Sequence, residues 1–206
     1  RVRVSSANHR LPYTLYLKAV DTSVSFMFHD LLALQNKALV LQFYKSFDNR
    51  RLKDGLRLLS PALVAHMAGI EGPLTQTEFA AMGTDVYNAF PDGKHTFTHV
   101  IAHRDMVTTC GVFTGTHLDA FQGIPETGKR VRFAIMHIDR VRHSRIVEHW
   151  GQGDSLSLVQ QLGVKLVPGP GILLKLGLKA SDHLKGETFE RLRAVTQPDY
   201  YPQVPE

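Results

Sequence analysis

The segment from residue 131 to residue 151 constrains the fold more than any other part of the chain. Residues 131–141 alternate in a way that predicts a β-strand, because successive side chains on a strand point to opposite faces. One face takes a mostly apolar set: Val131, Phe133, Ile135, His137, Asp139 and Val141. The other face takes Arg132, Ala134, Met136, Ile138 and Arg140. Since both faces are largely apolar, we predict that the protein covers this strand on both sides.

A hairpin is predicted after this strand. Residues 142–145 indicate the turn, and residues 146–151 indicate a second strand that returns antiparallel to the first. One register places Gly151 opposite His137. A two-residue turn would shift the pairing by one and place Trp150 there instead. In both registers, we expect His137, His149 and Trp150 to lie close together.

His137 stands out because it is a polar residue in the middle of an apolar strand face. Burial of an unpaired polar group costs free energy, so this side chain needs a partner. One interpretation is a structural histidine that bonds the backbone or Asp139. The other is a functional group of a pocket, since a histidine can give or take a proton near neutral pH. We favour the functional interpretation.

Composition excludes several classes of protein. The 206 residues, of which 43% are hydrophobic and 21% charged, fit one globular domain with a sizeable core. Cys110 is the single cysteine, so an intrachain disulfide is impossible, and we interpret it as a small buried hydrophobe. The net charge of +5 is spread along the chain, which predicts no nucleic-acid partner. No apolar run is long enough to span a membrane, and residues 1–30 do not resemble a secretory signal, so we expect a cytoplasmic protein.

The other periodic segments predict a mixture of helices and strands. Thr75 and Glu78 form a capping-box pattern at the start of one helix, and Asp154 is a strong N-cap candidate for another. Gly111 and Gly115 would let a long strand bend. The predicted helices are 31–47, 51–59, 79–90 and 155–162, and the further strands are 63–67, 94–103 and 106–118.

Three histidines in the strand 94–103 suggest a metal site at first inspection. His95, His99 and His103 are four residues apart, which would stack them on one face of a helix. The intervening Thr, Phe, Val and Ile residues favour a strand, however, and positions four apart on a strand are separated by about 13 Å. A zinc–nitrogen bond is only about 2 Å long. We therefore predict no metal site here and no cofactor elsewhere in the chain.

A longer motif carries a family resemblance. The sequence GTHLDAFQGIPETGKRVRF, followed by RIVEHW and the helix SLSLVQQLG, resembles the SnoaL-like polyketide cyclases of the nuclear-transport-factor-two-like superfamily. The resemblance covers residues 31–163 and leaves residues 1–30 as an N-terminal extension and 164–206 as a linker and tail. It implies an α+β fold in which a strongly bent antiparallel sheet, wrapped with N-terminal helices, forms a cone around a pocket. It also implies a homodimer that pairs through the outer face of the sheet.

The resemblance implies a reaction that needs no cofactor. Cyclases of this family close a ring by intramolecular aldol chemistry on an aromatic polyketide ester, so we expect an apolar or aromatic small-molecule substrate. One group must take a proton next to a carbonyl, and another must donate to the developing oxyanion. A related lyase or isomerase is a further possibility. The alternative from another class is a binding module of the same fold without catalysis.

Three residues are candidates for catalysis. His137 is the first. The characterised cyclases use an Asp as acid or base at the position that we match to Gly151. Asp154 could replace that Asp if it turns inward, and otherwise it caps the following helix. His66 is either a hydrogen-bond donor at the pocket mouth or an exposed histidine at a strand end.

A second set of residues is expected to contact the substrate. Tyr44 is either a pocket group or a core aromatic residue, and His117 either faces the pocket or bonds the following loop. Aromatic walls and space for the ligand come from the predicted hairpin. The expected substrate-binding residues are Tyr44, His117, Phe133, Ile135, His149, Trp150 and Gly151.

Overall fold

The computed structural model describes the backbone of residues 13–165 and the side chains from residue 30 onward. The elements in chain order are α1 Tyr13–Asp48, α2 Leu52–Arg57, β1 Leu59–Met67, α3 Gln76–Ala89, β2 Lys94–His103, β3 Met106–Thr116, β4 Arg130–Arg142, β5 Arg145–Gly153 and α4 Ser155–Leu162. The α+β class is therefore confirmed. The predicted boundary after residue 30 falls inside α1, and nearly all of the predicted tail lies outside the described residues.

The five strands form one curved, unclosed sheet in the order β1-β5-β4-β3-β2. The pairs β2–β3, β3–β4 and β4–β5 are antiparallel, as predicted. Strand β1 differs, because it pairs parallel with β5. A long connection containing α3 lies between β1 and β2, so β1 is free to pair with β5 rather than with its successor. The strand assignment for the segment with His95, His99 and His103 is confirmed, since each of these residues pairs with a residue of β3.

Helices α1 and α3 pack on one face of the sheet, which we call the inner face. Val40, Phe43 and Phe47 recur along one side of α1 and are buried in the core. Helix α3 adds Phe79, whose ring lies 6.3 Å from that of Phe43. The packing of these apolar stripes on the sheet forms a core that reaches as far as Leu158 of α4.

The start of α3 follows from its sequence. Glu78 donates its backbone N–H to Thr75 Oγ1 at 3.4 Å, and the Glu78 carboxylate accepts from the Thr75 backbone N–H at 2.8 Å. Each side chain thus satisfies a backbone N–H that the helix leaves unpaired. The capping box predicted from the sequence is confirmed.

The register of the β4–β5 hairpin changes along its length. His143 and Ser144 have positive φ angles of 50° and 55° and form a two-residue turn. Such a turn alone would place Trp150 opposite His137. A β-bulge next to the turn, between Arg140 and Val141 on β4, adds one residue on β5 and restores the other register. His137 consequently pairs with Gly151.

The opposite face of β4, which we call the outer face, carries an exposed patch among the described residues. Met136 is 49% exposed there, and the neighbouring Cys110 and Gln152 line an open groove of about 590 Å³. Among the described residues this side of β4 is partly covered, since Ala134 and Ile138 are half-buried, so coverage of both faces stays a prediction for the whole chain.

None of the helices in the described part of the chain is both long and apolar enough to cross a membrane.

Candidate active site

The inner face of the sheet carries a group of buried polar side chains within an otherwise apolar core. Thr109 comes from β3, His137 and Asp139 from β4, and His149 from β5. They lie together because the strands pair Thr109 with His137 and Asp139 with His149. Tyr44 of α1 completes the group, which we call the inner polar cluster.

Asp139 is the anchor of the inner polar cluster. Its side chain is completely buried, and Tyr44 donates its hydroxyl to Oδ2 at 3.0 Å. Oδ1 lies 2.8 Å from His149 Nδ1. Burial, together with the neighbouring Asp139, raises the pKa of Tyr44 well above its ordinary value of 10.0. The Tyr44 hydroxyl therefore keeps its proton and remains a donor to the carboxylate.

His137 lies beside this pair. Its ring is stacked on Tyr44 with 4.9 Å between the ring centres, and its Nδ1 lies 3.2 Å from Thr109 Oγ1. Burial lowers the pKa of His137 well below its ordinary value of 6.5, and the nearby His149 and His95 lower it further. His137 is consequently neutral at physiological pH, with one ring nitrogen as donor and the other as acceptor.

A second anchored histidine lies on the other side of His137. The ring centre of His95 is 5.8 Å from that of His137, and that of His149 is 5.5 Å away. His95 Nδ1 lies 2.7 Å from Asp48 Oδ1, and Tyr87 donates its hydroxyl to the same oxygen at 2.6 Å. The three histidines thus form a row whose two outer members are each held by a carboxylate.

Gly151 leaves room on the inner face next to His137. A Cβ at this position would lie 3.0 Å from His149 Nε2 and 2.6 Å from Met67 Cε. The end of the Met67 side chain therefore fills the space that a side chain at residue 151 would use. A thioether on a flexible stem can change its rotamer, so Met67 is the side chain that a ligand in this space would displace.

The other predicted residues of β4 also lie on the inner face. Ile135 is buried, and the Phe133 ring lies 5.5 Å from that of Phe113. His117 is completely buried in the connection between β3 and β4, where its Nδ1 lies 3.1 Å from Thr127 Oγ1. This contact fits the loop role for His117 rather than contact with the inner polar cluster.

His66 and Trp150 lie on the outer face instead. Their rings stack with centres 5.3 Å apart, and the Arg140 guanidinium lies 5.5 Å from the Trp150 ring. His66 Nε2 is 3.3 Å from Glu148 Oε1, and Arg140 donates to the same carboxylate at 2.8 Å. Alternation along β5 separates this group from His149 and Gly151, so the structure does not bring His66 or Trp150 into the inner polar cluster.

Asp154 is placed at the start of α4. Its carboxylate accepts a hydrogen bond from the Ser157 backbone N–H at 2.9 Å, as the N-cap interpretation expects. It also lines the outer-face groove with Met136 and Gln152. The described contacts of Asp154 therefore do not bring it next to His137.

The sequence interpretation did not include Asp139, Thr109 or Met67 among the site residues. Asp139 could have been predicted from the sequence. It lies two residues from His137 on the same apolar strand face, and a buried carboxylate requires partners. Thr109 and Met67 could not have been predicted from the sequence pattern. Only the pairing of β3 with β4 brings Thr109 near His137, and only the pairing of β1 with β5 brings Met67 there.

Metal ligands do not cluster in the part of the chain whose side chains are described: no three His, Cys, Asp or Glu residues there are arranged to hold an ion. The inner polar cluster instead offers two imidazoles, a phenol and a carboxylate. Such groups can take up and release protons and can donate hydrogen bonds to a developing oxyanion.

Comparison with known families and structures places these features in context. Residues 38–162 match the model of the SnoaL-like polyketide cyclase family. IdmH from Streptomyces antibioticus, a candidate polyketide cyclase, is 30% identical over 63% of this chain and 99% of its own, with a TM-score of 0.57. AclR from Streptomyces galilaeus, a candidate hydroxylase, is 24% identical over 64% and 97%, with a TM-score of 0.59.

A SnoaL-like protein from Jannaschia sp. CCS1 shares the fold at 17% identity and a TM-score of 0.61, over 66% of this chain and 96% of its own. The search of curated proteins found no significant match.

Proposed function

Because this chain belongs to the SnoaL-like polyketide cyclase family, we propose that it is a cofactor-free enzyme that performs acid/base chemistry on an apolar small molecule. The reaction is an intramolecular aldol-type ring closure of an aromatic polyketide ester, or a lyase or isomerase reaction that begins with the same proton transfer. The substrate class follows from the family and from IdmH, which is described as a candidate polyketide cyclase.

One observation supports this proposal above the others. His137 is a neutral, buried imidazole whose neighbours on the inner face are further proton-transfer groups rather than only apolar side chains. Ring closure needs a base for the proton next to a carbonyl and a donor for the oxyanion. A neutral histidine serves as either, and the aromatic residues around it, Tyr44 and Phe97, suit a planar substrate.

The test is enzyme-catalysed exchange of carbon-bound protons in deuterium oxide. Naphthyl methyl ketone and a naphthylacetic ester are incubated with the chelator-treated protein, and loss of the α-proton signal is followed by proton NMR. We expect exchange that is proportional to protein concentration and faster than with heat-unfolded protein. Equal rates for folded and unfolded protein with both probes would contradict acid/base catalysis.

A second candidate function is supported by Met67. Its side chain fills the space beside Gly151, and His137 is tied to Thr109 and Tyr44, as a structural histidine would be. Under this proposal the protein binds an aromatic molecule without changing it. Tight binding of the naphthyl probes without any proton exchange would favour this function over catalysis.

We also propose that the protein is a homodimer that pairs through the outer face. Met136 and Ile101 are exposed apolar residues of this face, at 49% and 65%. Burial of such side chains stabilises association by about 25 cal/mol per Å² of apolar surface. We expect a dimer in sedimentation velocity at micromolar concentration, and we expect Met136→Lys to shift it toward monomer.

The matched control is Leu118→Lys. Leu118 is exposed to a similar degree, at 54%, but it follows the end of β3 and is therefore not part of the strand surface proposed to form the dimer. This variant should sediment like the wild-type protein. A wild-type protein that sediments only as a monomer would contradict the proposed dimer.

A further inference from the structure

We propose that His149, oriented by Asp139, is the base that removes the substrate proton, and that His137 opposite Gly151 is the hydrogen-bond donor. This assignment rests on the proposed acid/base function and adds to it a division of roles between two histidines. It makes Asp139 and Tyr44 positioning residues rather than catalytic ones.

The orientation of His149 is set by its hydrogen bond. Its Nδ1 lies 2.8 Å from Asp139 Oδ1, and a carboxylate only accepts, so Nδ1 carries the proton. In the neutral ring, Nε2 then keeps its lone pair and is free to act as a base. Asp139 cannot turn away, because Tyr44 donates to its other oxygen at 3.0 Å. Phe79 packs against the imidazole with 4.7 Å between the ring centres.

His149 Nε2 lies next to the position that we assign to the substrate. Nε2 lies 3.0 Å from the point where a Cβ of Gly151 would be, on the inner face. Gly151 pairs with His137 across the two strands, so this position is also beside the His137 ring. Displacement of the flexible Met67 side chain would bring substrate carbon within reach of His149 and substrate oxygen within reach of His137.

The proton balance of the step needs no further reactant. The substrate C–H proton passes to His149 Nε2, and the imidazolium is stabilised by the Asp139 carboxylate. The electron pair of the broken bond moves to the carbonyl oxygen as an enolate, which accepts a hydrogen bond from His137. The enolate carbon then bonds to the second carbonyl carbon, and the resulting alkoxide takes the proton back from the imidazolium.

His137 has the complementary role. Thr109 is completely buried, and its Oγ1 lies 3.2 Å from His137 Nδ1. In this assignment the Thr109 hydroxyl is the donor of that contact, which places the proton of the neutral His137 ring on Nε2. Protonation of His137 to a cation is disfavoured, since burial and the adjacent His149 and His95 lower its pKa. The two rings therefore present unlike groups, a lone pair on His149 and an N–H on His137.

The decisive variant is Asp139→Asn. The Asn amide oxygen still accepts from Tyr44, but its NH₂ group donates to His149 Nδ1 and moves the imidazole proton to Nε2. The shape of the site is kept and the base is lost, so we expect the exchange rate of the naphthyl probes to fall by about 10²–10⁴-fold. His149→Gln should fall by a similar factor.

The milder comparison is Tyr44→Phe, which removes one of the hydrogen bonds that hold Asp139 but leaves the tautomer of His149 unchanged. We expect a loss of less than about tenfold, the effect of one hydrogen bond of about 1 kcal/mol. Near-unchanged exchange in both Asp139→Asn and His149→Gln, with an active wild-type protein, would overturn this assignment. An inactive wild-type protein would instead contradict the proposed function itself.

Heteronuclear NMR of the imidazole nitrogens in the wild-type protein tests the same assignment without any variant. We expect the proton of His149 on Nδ1 and that of His137 on Nε2. A His149 protonated on Nε2 in its neutral form would overturn the proposal, even if the variants fail to fold.

Discussion

His137→Asn is expected to stay folded and to lose about 10²–10⁴-fold in turnover or proton exchange, the usual contribution of an oxyanion donor or a general acid–base group. Asparagine is close to histidine in size and can keep the contact with Thr109, which lies 3.2 Å from His137 Nδ1. It cannot supply the second ring nitrogen on the inner face. The measurement is the initial rate of α-proton exchange per folded molecule, with folding checked by circular dichroism.

The matched control is His143→Asn, the same change in the exposed hairpin turn. His143 has a φ of 50°, a left-handed conformation that asparagine tolerates well. This variant should keep wild-type activity and stability. If His137→Asn melts at a much lower temperature but keeps its activity per folded molecule, His137 is structural and the catalytic role is wrong.

The same variant is also expected to change how the free energy of unfolding depends on pH. Because burial lowers the pKa of His137 well below 6.5, an unfolded chain binds a proton at this residue below that pH and the folded chain does not. The free energy of unfolding therefore falls with decreasing pH, by up to about 1.4 kcal/mol per unit for this group. His137→Asn should lose this contribution, which urea unfolding on either side of pH 6.5 would measure as a shallower acid dependence.

Gly111→Ala is expected to destabilise the protein by about 3 kcal/mol or more, at the upper end of overpacking changes. Strand β2 curves over β3 here, and a Cβ on Gly111 would lie 2.0 Å from the Thr96 carbonyl oxygen and 2.7 Å from Phe97 Cα. Both are backbone atoms of a paired strand, so neither can move without disturbing the sheet. We expect a fall in melting temperature of roughly 6–12 °C, at about 2–4 °C per kcal/mol for a chain of this size.

The control is Gly153→Ala in β5. The nearest atom to a Cβ at Gly153 is Phe133 Cε2 at 3.5 Å, which is ordinary van der Waals contact. This substitution should change the free energy of unfolding by less than about 1 kcal/mol, since alanine is no worse than glycine within a strand. Equal melting temperatures for Gly111→Ala and the wild-type protein would show that β2 does not approach β3 so closely.

Local pattern alone determined much of this fold. Alternation predicted β4, the Thr75–Glu78 pair predicted the start of α3, and the β-branched residues between His95 and His103 predicted β2 against the helical alternative. These features depend on residues that are neighbours in sequence, so their physical causes can be read from the sequence alone. The motif from residue 115 to residue 151 also indicated the family that the comparisons show.

Tertiary structure decided what local pattern left open. The register of the hairpin depended on a bulge next to a two-residue turn, and only that combination places Gly151 opposite His137. The parallel pairing of β1 with β5 brought Met67 to the same position. A one-residue shift of register changes the partner of every side chain on the strand, and the local sequence pattern fits both registers. Sequence therefore predicted that His137 needs a partner. Only the packing of α1 on the sheet brings Tyr44 to Asp139, and only the pairing of β4 with β5 brings Asp139 to His149.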